Sequence, residues 1–221
     1  NLIIDPTEEE KTALLKIRDA HMKRTEESQK FMSTRAMTKD GVRIEIGLNM
    51  GSSDPDALKD EKHTDFVGLF RTEFLYMEKP SLPSEEEQFS VYKKVLKTYD
   101  PRPVTIRTLD IGGDKTLECL DLPKEENPFL GNRALRLCFD KKDLFKTQLR
   151  ALLRASAYGN LWLMLPMVGS LDDIRRAKEI IEKTKRELDT QSIPYSHDMK
   201  IGIMIEIPAI AILADAAAEE V

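Results

Sequence analysis

A parallel α/β fold is what the sequence predicts, part of a (β/α)8 TIM-type barrel with about five βα units behind an N-terminal linker helix. Three observations carry this reading. From Val42 onward, strand-like and helix-like stretches alternate, as in parallel strands joined by crossover helices. The strand-like stretches are short and nearly all apolar, as expected of strands covered on both faces. The first of them is followed by "NMGSSDPD", a poor glycine fingerprint, which argues against an open dinucleotide-binding sheet. A closed barrel needs eight units in about 250 residues, whereas only five strands are legible. Either the chain is a piece of a barrel or its sheet is open.

The elements follow in order. In "DPTEEEKTALLKIRDAHMKRTEESQKFM", Asp5 or Thr7 caps a long helix with acids in its first turn and only a thin apolar stripe. Residues 1–38 therefore read as a linker helix, and 39–221 as the partial barrel. "VRIEIGLNMG" alternates and predicts the first strand, and "DPDALKD" a short helix. "FVGLFRTE" predicts the second strand. "PSEEEQFSVYKKVLKTYD" opens on a capping box, Ser84 with Glu87, and predicts a helix. "VTIRTLDI" is the third strand. A long connection, "GGDKTLECLDLPKEENPFLGNRALRLCF", leads to the helix "KKDLFKTQLRALLRASAYG", which Gly159 closes. "LWLMLPMV" is the fourth strand, "SLDDIRRAKEIIEKTKRELDT" its helix, "KIGIMIEIP" the fifth strand, and "AIAILADAAAEEV" a last helical segment.

Composition excludes several classes of function. With 34 basic and 39 acidic side chains the net charge is −5, which argues against a general nucleic-acid surface. Cys119 and Cys138 form no CxxC and read as reduced thiols, so a cytoplasmic setting is expected. No signal peptide is legible in these residues, and the longest apolar run carries Glu206, Pro208 and Asp215, which a membrane span rarely tolerates. His21, His63 and His197 lie apart in polar segments and suggest neither a zinc site nor a nucleophile.

The chemistry lies in the polar residues that interrupt the strands. Arg71, Arg107 and Glu206 each follow a run of apolar residues close to a strand's carboxyl end, where parallel α/β folds keep their sites. One βαβ unit separates Arg71 from Arg107, which places them on neighbouring strands at one level. Two guanidinium groups side by side repel by roughly 4 kcal/mol at an effective dielectric near 20. Something anionic offsets that: either Glu73, Asp110 and Asp114 as an internal ion-pair network, or a phosphate or carboxylate ligand gripped by paired hydrogen bonds. "DIGGDK" offers backbone N–H groups and Lys115 to the same anion, or is simply a tight turn. After the "ENPFLGN" loop, one of Arg133 and Arg136 reaches the pocket and the other faces solvent. Glu206 is either a buried, paired acid or a ligand for Mg2+, which takes one or two carboxylates together with substrate oxygens.

Six segments in order carry a resemblance: "VGLFRTEFLYM", "LPSEEEQFSVYKKV", "IRTLDIGGDK", "PKEENPFLGNRALR", "QLRALLRAS" and "IGIMIEIPA". Over nearly its whole length the chain resembles the phosphoenolpyruvate-binding domain of enzyme I of the bacterial sugar phosphotransferase system, the phosphoenolpyruvate–protein phosphotransferases. Pyruvate phosphate dikinase and phosphoenolpyruvate synthase share the RTE and NPxLG elements, but the "PSEEEQF" segment and the spacing are closer to enzyme I. The resemblance implies a (β/α)8 barrel, Mg2+ as cofactor and phosphoenolpyruvate as phosphoryl donor. It also implies a protein histidine as acceptor and a phosphocarrier protein after it. By that resemblance Arg71 and Arg107 bind phosphoenolpyruvate, Arg133 touches its phosphate and Glu206 is the first metal-binding acid.

The departures matter too. A GTNDL-type segment with its Asn and second acidic ligand, a later arginine, an acid–base cysteine and the phosphorylated histidine are not in these 221 residues, and neither Cys119 nor Cys138 matches the cysteine's setting. No catalytic residue is therefore assigned, and the chain alone is expected to be inactive, with weak binding at best. A homodimer is expected of the full-length enzyme, and open sheet edges invite self-association of the piece. The alternatives are a dikinase or synthase barrel, or a non-enzymatic module that only binds a phosphate ligand.

Overall fold

A computed structural model of the chain describes residues 3–59, 61–77, 80–112, 120, 125–127 and 130–221. The chain divides into two compact units, Asn1–Glu45 and Ile46–Val221. In the first, helix α1 (Glu8–Gln29) starts at Thr7, whose hydroxyl accepts from the Glu10 amide while the Glu10 side chain accepts from the Thr7 amide. Both bonds serve N–H groups that have no partner within the helix. No residue of α1 is buried, and Leu14, Leu15, Ile17 and Met22 are exposed.

The second unit is built on five parallel strands: β1 (Gly47–Met50), β2 (Phe66–Phe70), β3 (Val104–Arg107), β4 (Leu161–Leu165) and β5 (Lys200–Ile203). They lie side by side in chain order, with no switch point of the kind that marks a doubly wound sheet. Among the helices between them, α2 (Pro55–Leu58) is short, α3 (Glu85–Tyr99) precedes β3, α4 (Ala134–Asp140) and α5 (Lys142–Ser156) precede β4, and α6 (Leu171–Thr190) precedes β5. α3 packs along α5, and α5 along α6. The chain then forms α7 (Pro208–Ile212) and α8 (Ala214–Ala218).

Helix faces explain this layering. In α6 the buried residues Ile174, Ala177, Ile181, Thr184 and Leu188 recur every three or four positions, so a mostly charged helix still turns one apolar stripe inward. In the strands, Val67, Phe70, Val104, Ile106, Leu161, Leu163 and Leu165 are buried in the core they share with α3 and α5. Phe70 meets Phe74 and Tyr92 edge to face. Along β4, burial alternates, and Trp162 and Met164 on the second face are only half-buried. The expectation of strands covered on both faces therefore holds along β3, where all four residues are buried, and for one face only along β4.

Three further differences from the sequence reading are local. The first strand begins at Gly47, not Val42, because the Ile46 amide is spent on the Asp65 carboxylate and Arg43 bridges back to Met37. Helix α4 sits inside what reads as a long connection. Its N-cap, Arg133, makes no side-chain capping bond and Ala134 takes a positive φ of 49°, so no start signal is written there. The third is a bulge. Leu48 and Asn49 are adjacent in β1 but oppose Val67 and Leu69, and β2 also gains a residue against β3 between Val67 and Phe70. The extra residue shifts the pleat by one position. Val67 and Phe70, three apart, thereby share the core face, and Arg71 falls on the side opposite Phe70.

Candidate functional site

The carboxyl ends of β2, β3 and β5 gather the residues singled out above. Phe70 pairs with Ile106, so Arg71 and Arg107, the next residue on each strand, stand at one level. The register continues from Arg107 through Met164 to Gly202.

Arg107 is 6% exposed and would be costly to bury alone. Its Nη2 is paired with the Glu73 carboxylate, and its Nη1 lies 3.1 Å from Asp110 Oδ2 and 3.5 Å from Met204 Sδ, just past β5. Asp110 uses its other oxygen to accept from Arg133 Nη2 at 3.0 Å. Glu73, Arg107, Asp110 and Arg133 thus form a buried chain of alternating charge, two cations with two anions. The internal network weighed from the sequence is present through Glu73 and Asp110. Asp114 and Lys115 lie outside the described residues, as does Cys119.

Gly112 makes room for this network. Its φ is +120°, and a Cβ there would stand 2.5 Å from Arg133 Cβ, so a side chain meets both strain and a clash. The second guanidinium of the "GNRALR" segment goes elsewhere: Arg136 is exposed and donates to the carbonyls of Leu130 and Gly131 at 2.9 and 3.4 Å.

Arg71 has the opposite surroundings. Its amide donates to the Met50 carbonyl at 2.8 Å, which continues the sheet, but its side chain is exposed beside Gly51 at the end of β1. Among the described residues no carboxylate pairs with it. It is a cation held at a strand end with its hydrogen-bond donors available to an anion.

Glu206 lies three residues past β5 and is exposed. Its Oε1 accepts from the Met167 amide at 2.7 Å, and Met167, beyond the end of β4, has a positive φ of 54°. That conformation is uncommon for a side chain other than glycine, and it turns the amide toward the acid. Nothing in the sequence around Met167 or Met204 flags their contacts with Glu206 and Arg107. No group of three or more His, Cys, Asp or Glu that could enclose a metal occurs among the described residues. A single acid with one carboxylate oxygen bonded by the backbone still fits the habit of Mg2+, which draws its other ligands from substrate and water.

His21, His63 and His197 are all exposed. Cys138 is buried, and burial first, then the nearby Asp110 charge, push its thiol up to about 12, so it is an inert core residue. No helix among the described residues is long and apolar enough to cross a membrane.

Comparison with known proteins adds identity to this geometry. A family model described as "PEP-utilising enzyme, PEP-binding domain" matches residues 25–221. Proteins named phosphoenolpyruvate-protein phosphotransferase align with all of the chain: that of Staphylococcus epidermidis is 48% identical over 221 residues, that of Listeria innocua 48% over 223, and that of Priestia megaterium 46% over 222. The chain spans 39% of the first two and 38% of the third.

Proposed function

The chain belongs to the PEP-binding domain family of PEP-utilising enzymes, and from that premise we propose that it binds phosphoenolpyruvate as part of a phosphoenolpyruvate–protein phosphotransferase. The observation that carries the reading is Arg71: a guanidinium without a described carboxylate, level with the neutralised network around Arg107 at the same sheet end. The phosphate of the ligand supplies Arg71 with the anion that Glu73 and Asp110 supply to Arg107. Arg107 and Arg133, fixed by their acids, present oriented donors and need no reorganisation when the ligand arrives.

Glu206 is the residue that would hold Mg2+ here. The metal, when bound, supplies positive charge that steadies the phosphoryl group and the enolate left behind. The sheet order supports a barrel architecture, because five parallel strands in chain order with mutually packed crossover helices are what consecutive barrel units produce. In this reading the acceptor histidine, the phosphocarrier protein of sugar uptake and the dimer contacts belong to the wider enzyme. These 221 residues alone then carry out negligible transfer.

Titration with phosphoenolpyruvate, with and without Mg2+, tests the reading in the natural full-length chain that carries these residues. Binding is expected to tighten with Mg2+, and Glu206→Gln is expected to remove that response. Binding indifferent to the metal, with Glu206→Gln silent, would instead indicate a module that only captures phosphate ligands. Rapid pyruvate formation by the 221 residues alone would contradict the assignment of the acid–base group to the wider enzyme.

A further inference from the structure

Helix α5 carries one polar side chain where its apolar face meets the sheet. Gln148 is 1% exposed, on the same buried face as Leu144, Phe145, Leu149 and Leu152. Its Oε1 accepts from the Leu109 amide at 2.9 Å. Its Nε2 donates to Thr72 Oγ1 at 3.2 Å and to the Tyr92 hydroxyl at 3.3 Å. Thr72 Oγ1 in turn donates to the Arg107 carbonyl at 3.1 Å. One amide thus bonds the residue after Arg71 and the second residue after Arg107, and through Thr72 it reaches Arg107 itself.

The direction of every bond in this set is fixed. Leu109 offers only an N–H, so the oxygen of Gln148 must face it; the Thr72 hydrogen is committed to Arg107, so Thr72 can only accept from the amide nitrogen. On the far side, the Tyr92 and Tyr76 hydroxyls both donate to Gln88 Oε1, at 3.1 and 3.0 Å, and Gln88 Nε2 donates to the Pro83 carbonyl at 3.1 Å. Burial pushes the Tyr92 hydroxyl well up, so it stays a donor. An apolar residue of similar volume would fill the same space without the cost of burying an amide. What such a residue cannot do is tie two strand ends in one register.

We propose that Gln148 is a positioning residue: its amide brackets the carboxyl ends of β2 and β3 and so fixes where Arg71 and Arg107 stand relative to each other. The role rests on the phosphoenolpyruvate reading for its benefit to binding, but not for its physical existence. The experiment uses the natural full-length chain carrying these residues, with Gln148→Met, Thr72→Val and Thr72→Ser. Phosphoenolpyruvate affinity in the presence of Mg2+ is measured at 25 °C on variants shown to be folded, beside residue-resolved amide exchange. Losing the bracket is expected to weaken affinity about tenfold in Gln148→Met and in Thr72→Val, with Thr72→Ser, which keeps the hydroxyl, within about threefold of the parent. Exchange at Leu109 is expected to speed at least about tenfold in Gln148→Met. Thr108, held by the Met164 carbonyl at 3.0 Å, is expected to stay protected. A role confined to core packing would leave the affinity of folded variants unchanged, and that result overturns the proposal; so does equal behaviour of Thr72→Val and Thr72→Ser. If Gln148→Met does not fold, the Thr72 pair decides. If the parent itself does not bind phosphoenolpyruvate, the functional reading fails, and exchange at Leu109 alone decides the bracket.

Discussion

Arg71 and Arg107 open the same dipeptide, Arg-Thr, at the same level of adjacent strands, yet one is exposed and the other buried. Their own strands do not make the difference, since both follow apolar residues. It lies in where the next turns send their acids. Glu73, two residues after Arg71, turns to Arg107, and Asp110, three after Arg107, serves both Arg107 and Arg133. One guanidinium thus receives carboxylates from two loops and the other none among the described residues. The first becomes part of the structure and the second remains available to a ligand.

The largest test of this contrast is Asp110→Asn. Removing the shared acid leaves buried guanidinium charge uncompensated, and the second unit is expected to lose about 3–5 kcal/mol in urea denaturation. A loss below about 1 kcal/mol would show that the network is not what holds Arg107 inside. Arg71→Met probes the other side: stability is expected to stay within about 0.5 kcal/mol, while phosphoenolpyruvate affinity falls about 10- to 100-fold by calorimetry. The contrast breaks if stability, rather than affinity, responds.

Gly112→Ala sharpens the account of Arg133. The strained φ and the short approach to Arg133 Cβ are expected to cost about 1–3 kcal/mol, read as a lower denaturation midpoint. The last effect is in pH, and it is negligible near neutrality, where the thiol keeps its proton in both states. Because the Cys138 thiol is raised to about 12 from an ordinary 9, the unfolded chain loses a proton there that the folded chain keeps. Stability should therefore fall as pH rises through that window, by up to about 1.4 kcal/mol per unit, relative to Cys138→Ala. Parallel pH curves for the two proteins would mean that the thiol is not as enclosed as its burial indicates.

Much of this was legible in the residues. Apolar runs with a charge near the end locate Arg71, Arg107 and Glu206, and Ser84 with Glu87 writes a capping box that the structure forms. The family resemblance was legible as well, because its segments are long and ordered. Other features depend on distant partners and were not. Nothing near Gln148 says that its amide will meet Thr72 and Leu109. Nothing before Ala134 signals a helix, and the preference of Glu73 for Arg107 over its own strand's arginine emerges only when the strands are adjacent.

The extra residue in β2 gives that strand a reading frame. Upstream of Val67 and downstream of Phe70 the alternation of sides runs in opposite phase, so deleting a single residue there would swing Arg71 toward the helices and carry Phe70 out of the core. Length changes that a loop absorbs would here exchange an anion-seeking side chain for a phenyl ring at the sheet mouth. Anyone transplanting this strand into another scaffold should move residues 66–71 as a single block.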